Sequence, residues 1–96
     1  MSTTTTSKRI EEIRATPSAL VGSDEGTHAG RISWRIYEQI GGHRFAVKMM
    51  GGTALSTWPV EDAAKETRGN IRMFPGVISR MAALRAELQE LQAAKT

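Results

Sequence analysis

The chain has 96 residues, of which 40% are apolar and 24% charged, with a net charge of +3. That is room for one small domain with a modest core. It has no cysteine, which excludes disulfides and thiolate chemistry. No apolar run approaches the length of a membrane span or a signal-peptide core, so the expected compartment is the cytoplasm. A mildly basic balance permits nucleic acid or an acidic protein as partner without demanding either.

In chain order, residues 1–6, MSTTTT, read as a disordered polar leader, and 7–96 as a single domain. Ser7 is placed to cap a short helix over KRIEEIRA, with Ile10 and Ile13 at helical spacing and Pro17 beyond its end. Residues 16–30 are rich in turn formers and read as a long connection, anchored by Leu20 and Val21.

Residues 30–58 carry strand patterns broken by two Gly-Gly pairs, and predict a three-stranded antiparallel meander. Side chains alternate along a strand. A two-residue turn at Gly41-Gly42 would set Trp34 opposite Met49 and Ile36 opposite Val47 on an apolar face. The same register gathers Arg31, Arg35, Tyr37, Arg44 and Lys48 on the other, with Arg35 opposite Lys48 and Gln39 opposite Arg44. Glu38 falls on the apolar side opposite Phe45, at a frayed edge. For the third strand, apolar matching favours a three-residue loop, Gly51 to Thr53, which sets Leu55 opposite Met49.

A helix over 59–72 follows, opened by Pro59 with Glu61 and Asp62 near its positive end. Its stripe of Val60, Ala64, Thr67 and Ile71 is the natural cover for the sheet. A second helix over 77–94 carries Val77, Met81, Leu84, Leu88 and Leu91 in a heptad seam. Such a seam packs either on its own domain or on a second copy of the chain, giving a homodimer. The expected fold is therefore α+β: a three-stranded antiparallel meander backed by a helix, with a short N-terminal helix and a heptad-patterned C-terminal helix.

The pattern offers no enzyme signature. Asp24, Glu25 and His28 lie close in sequence but lack a second histidine at ligand spacing, so no metal is expected. No nucleophile elbow occurs, and neither Gly-Gly pair is followed by the Lys-Ser or Lys-Thr of a phosphate loop. No cofactor is expected. What remains is the cationic group Arg31, Arg35, Arg44 and Lys48 with Tyr37 among them, a combination suited to phosphate contact and stacking. Like charges directly opposite on a sheet are mildly destabilising, and an anion spanning Arg35 and Lys48 would relieve that.

The run HRFAVKMMGG, then ALSTW, then PVEDAAKE resembles DNA-binding domains built from a three-stranded sheet and one helix. The arm-binding domains of phage-type integrases and the plant ethylene-response domain are examples. That resemblance implies a sheet inserted in the major groove, with Arg31, Arg35, Tyr37, Arg44 and Lys48 on bases and phosphates, in a protein encoded by a phage or mobile element. In size and style the chain is also similar to phage-encoded anti-CRISPR inhibitors. That likeness implies docking on, and blocking, a host protein or ribonucleoprotein.

Overall fold

The computed structural model describes residues 3–25 and 32–95. Among them the order is α1 (Thr3–Arg14), β1 (Ala19–Asp24), β2 (Ile32–Glu38), β3 (Arg44–Met50), β4 (Thr53–Trp58), α2 (Val60–Glu66), β5 (Arg72–Met73) and α3 (Pro75–Lys95). The fold is α+β, but the sheet has five strands rather than three. Their spatial order is β4-β3-β2-β1-β5, and every neighbouring pair is antiparallel.

The meander supplies the β2-β3-β4 half. The other half comes from the segment expected to be a connection. Ala19 pairs with Glu38, and Asp24 with Trp34, with a bulge between Leu20 and Gly22. Val21, at that bulge, is fully buried. On its far side β1 receives β5, with Gly22 opposite Met73 and Ser23 opposite Arg72.

Both hairpins close differently from expectation. In the first, Gln39 N–H donates to the His43 carbonyl and Gly42 N–H to the Gln39 carbonyl, both at 2.8 Å. The loop is thus Ile40-Gly41-Gly42, three residues, with Gly42 at φ 103°. A left-handed third residue of this kind is the usual closure of a three-residue hairpin, and glycine adopts it without a Cβ clash. The second loop is the shorter one: Met50 pairs with Thr53 across Gly51-Gly52, both at positive φ (55° and 86°). Two positive-φ residues in succession match the right-handed twist of a hairpin. A bulge between Lys48 and Met49 on one strand and Ser56 and Ala54 on the other leaves Leu55 unpaired and half exposed.

One extra residue in the first loop slips β3 by one position against β2. The observed partners are Trp34 and Lys48, Arg35 and Val47, Ile36 and Ala46, Tyr37 and Phe45, Glu38 and Arg44. A slip of one moves every β3 side chain to the opposite face. Ala46, not Val47, therefore packs beside Ile36, and the core comprises Val21, Trp34, Ile36, Ala46 and Ala63.

This register gives Glu38 a basic partner on the neighbouring strand. The Glu38 side chain is 4% exposed, with Arg44 Nε 2.7 Å from Oε1 and Arg85 NH2 2.9 Å from Oε2. Far from fraying at an edge, it is the buried ionic joint between sheet and α3. Arg85 Nε also donates to the Ile40 carbonyl at 2.9 Å, tying the first hairpin loop to the same helix. A buried carboxylate needs such partners, and only the slipped register sets Arg44 opposite it. Burial by itself would push this carboxyl up, but the hydrogen bonds and charges of Arg44 and Arg85 together hold it below the usual carboxylate range.

Helix α2 is half the expected length. It closes in a Schellman pattern: Gly69 N–H donates to the Ala64 carbonyl and Arg68 N–H to the Lys65 carbonyl. Arg68 takes the left-handed position at φ 55°, with Gly69 at 77° behind it. Ala63 and Thr67 are the buried residues of this segment, while Val60 and Ala64 are only half-buried. Helix α3 starts two residues early because Pro75 sits in its first turn, where a missing N–H costs nothing. The Phe74 N–H bonds to the Val21 carbonyl at 2.7 Å, so the helix starts directly off the sheet.

Helix α1 includes Thr3–Thr6, residues expected to be a leader, and contains Ser7 rather than being capped by it. Helix α1 lies along α3, with Ile10, Ile13 and Met81 buried. The Val77, Leu84, Leu88 and Leu91 side chains of the seam are half-buried. Arg9 clasps Glu87 bidentately, Nε to Oε2 at 2.6 Å and NH2 to Oε1 at 2.8 Å. That contact raises the Arg9 guanidinium and lowers the Glu87 carboxyl relative to their ordinary ranges. The packed α1/α3 pair forms the helical arm of a molecule 55 × 22 × 20 Å in extent. The radius of gyration is accordingly 16.6 Å, against about 12.5 Å for a compact chain of this length.

Candidate functional site

Antiparallel partners share a face, so the register divides the sheet's side chains in two. One face carries Ile32, Trp34, Ile36, Glu38, Ala46 and Lys48, and there α2 and α3 bring Ala63, Val77 and Ile78. None of the residues in that cluster comes from the opposite face, although Met49, which the register places there beside Ser33, is buried as well.

The opposite face has its own order. One row across the five strands reads Arg72, Ser23, Arg35, Val47, Thr57. The next reads Leu20, Tyr37, Phe45. Arg35, Arg72 and Thr57 are exposed, Leu20 is 36% exposed, and Tyr37, Phe45 and Val47 are half-buried. Since Arg35 and Arg72 both pair with Ser23 from either side, their Cα atoms stand two strand spacings apart, about 10 Å. Among the paired strand residues described on this face there is no Asp or Glu.

Three rings run along it. Tyr37 and Phe45 stack with centroids 5.7 Å apart and planes 22° from parallel. His43 and Phe45 stack at 6.4 Å and 25°. His43, which closes the first hairpin loop opposite Gln39, is exposed and forms the open end of this ladder.

The residues expected to share a cationic face are thus separated. Arg35 and Tyr37 remain together on the open face. Arg44 is engaged with Glu38 on the core face. Lys48 is also on the core face, its Nζ 5.7 Å from the Trp34 ring centroid and 5.5 Å from that of Trp58. Those two rings meet edge to face at 5.3 Å and 86°, so Lys48 is held by cation–π attraction. Arg35 faces Val47, not Lys48, and the like-charge pair does not form. Arg31, like His28, lies outside the described residues.

Arg72, Phe45 and His43 are the members of this surface that the sequence pattern misses or misplaces. Arg72 falls within the expected helix over 59–72, and Phe45 on the expected apolar face. The signal that corrects Phe45 is Glu38, whose parity demands a basic partner and so selects the slipped register.

Among the described residues, no group of three or more His, Asp or Glu side chains is placed to hold a metal ion. No described helix is long and apolar enough to cross a membrane. Two surface grooves flank the helical arm. One, about 460 Å³, lies between Thr5, Arg9, Glu12, Glu87 and Leu91; the other, about 290 Å³, lies between Pro17, Ala19, Val77, Met81 and Leu84. No protein-family model matches the chain, and no curated protein or solved structure matches it.

Proposed function

We propose that the chain is a non-catalytic binding protein whose open sheet face engages nucleic acid. The observation that carries this reading is the composition of that face: two exposed arginines bracketing Ser23, a row of rings beside them, and no carboxylate among its paired strand residues. Arginine forks suit phosphate oxygens, and the absence of acid leaves nothing to repel them. Helices on one side of a sheet and none of their core residues on the other leave a platform about three strands wide, Leu20 to Phe45, for a ligand to lie on.

The set of residues facing the ligand differs from that of a wholly cationic meander. Arg35 and Tyr37 are retained, Arg72 joins them, and Arg44 and Lys48 serve the interior. The test is binding of the full chain to labelled nucleic acid at several salt concentrations. Arg35→Ser with Arg72→Ser should weaken binding and lower the salt slope by about 0.7–0.9 for each phosphate no longer neutralised. Lys48→Ser should leave that slope unchanged. If Lys48→Ser abolishes binding and the double arginine variant does not, the open face is not the binding surface.

A further inference from the structure

We infer that the ligand of the open face is unpaired nucleic acid, DNA or RNA, whose bases continue the ring ladder at His43. This deepens the reading just given and rests on it. The rings of Tyr37, Phe45 and His43 form a consecutive series of near-parallel planes, 22° and 25° apart at successive steps. The series runs from a half-buried tyrosine to an exposed histidine at a hairpin turn. A base is a flat ring that adds to such a series without requiring any particular sequence.

A duplex cannot use this feature, because its base faces are already stacked on each other and only edges and phosphates are presented. Unpaired strands offer those faces. The arginines lie one row from the rings, Arg35 two residues from Tyr37 on the same strand and Arg72 two strands further across. Backbone phosphates would follow the arginine row while bases turn to the ring row. A surface of this extent corresponds to the short end of the ~4–16 nucleotides bound by single-strand platforms.

The experiment is fluorescence anisotropy on the full chain with labelled oligo-dT and oligo-U of about 15 nucleotides, against a blunt duplex of the same length. Parent, His43→Ala and Phe45→Leu are compared, with sedimentation velocity on each. Oligo-dT or oligo-U should bind at least tenfold tighter than the duplex, and the two oligomers together separate DNA from RNA. Each ring variant should bind the single strand about fivefold to a hundredfold more weakly, with little change on the duplex. His43→Ala changes an exposed residue beside the hairpin loop, so it remains informative if Phe45→Leu fails to fold. Equal binding of duplex and single strand, unmoved by the ring variants, overturns this inference while leaving phosphate binding by the arginines intact. No binding to any of the three probes overturns the broader function as well. A parent dimer that the ring variants convert to monomer would make the face an interface between copies, and also overturns it.

Discussion

Replacing Arg85 by Met keeps most of the side chain's packing and removes its charge, leaving Glu38 with Arg44 alone. Removing one partner from a buried ion pair costs about 3–5 kcal/mol at full burial. Here solvent screening reduces the figure, because Arg85 is 27% and Arg44 38% exposed while Glu38 is 4% exposed. One of the two arginine partners also remains, which brings the cost to about half the full value. The Ile40 carbonyl is left without its Arg85 donor, although it is half-buried and water can replace part of that bond. The sum is about 2–3 kcal/mol, a large share of the ~5–10 kcal/mol expected for a domain of this size. It should lower Tm by about 10–20 °C. Urea unfolding, followed by far-UV circular dichroism and tryptophan fluorescence, measures it. Glu38→Gln combined with Arg85→Met should cost less than the sum of the two single changes, since their shared ion pair is counted only once. A destabilisation of Arg85→Met below about 0.5 kcal/mol, the range of an ordinary surface change, would refute the view that this joint holds sheet, loop and helix together.

Stability should depend on pH through the same group. The Glu38 carboxyl is held low in the fold, so its contribution is complete above the ordinary Glu range near 4.3 and fades as pH falls below it. Urea midpoints between about pH 6 and pH 3 should decline less steeply for Arg85→Met than for the parent. Arg68→Gly should stabilise by about 0.5–1 kcal/mol, because it relieves a left-handed non-glycine residue at the end of α2; thermal unfolding checks it. Ile13→Ala, at a site 1% exposed between α1 and α3, should cost about 2–4 kcal/mol and release α1, seen as a drop in helical signal. Leu84→Asp with Leu88→Asp should likewise destabilise the arm, by placing charge in a half-buried seam. An unchanged helical signal would show that the seam is solvated.

Much of this fold can be read from the chain, and the unreadable parts have physical reasons. The Gly-Gly pairs mark both hairpins, but not whether Gln39 or Ile40 closes the first one. That single residue decides which face all of β3 presents. The local apolar pattern points the wrong way, because Phe45, Val47 and Met49 match Trp34 and Ile36 in character. Glu38 carries the opposing signal, because a buried carboxylate needs a basic neighbour, and Phe45, Val47 and Met49 stay partly or wholly covered on the other face. Strand β1 is nearly silent: ALVGSD has a glycine, a bulge and two polar residues, and becomes a strand through pairing with β2 and β5. The α3 seam is legible because heptad spacing needs no tertiary information, whereas the helical state of Thr3–Thr6 runs against their weak helix propensity. For the open face, Arg35 and Tyr37 can be found from alternation along one strand. Phe45 and Arg72 cannot, since their placement depends on register and on a two-residue strand.

The most direct test of the nucleic-acid face is a chemical-shift titration of the isotope-labelled chain with oligo-dT or oligo-U. Perturbations should gather on Ser23, Arg35, Tyr37, His43, Phe45 and Arg72, with α1 and the outer half of α3 unmoved. Shifts confined to the helical arm, or to Lys48 and its tryptophans on the core face, would contradict it.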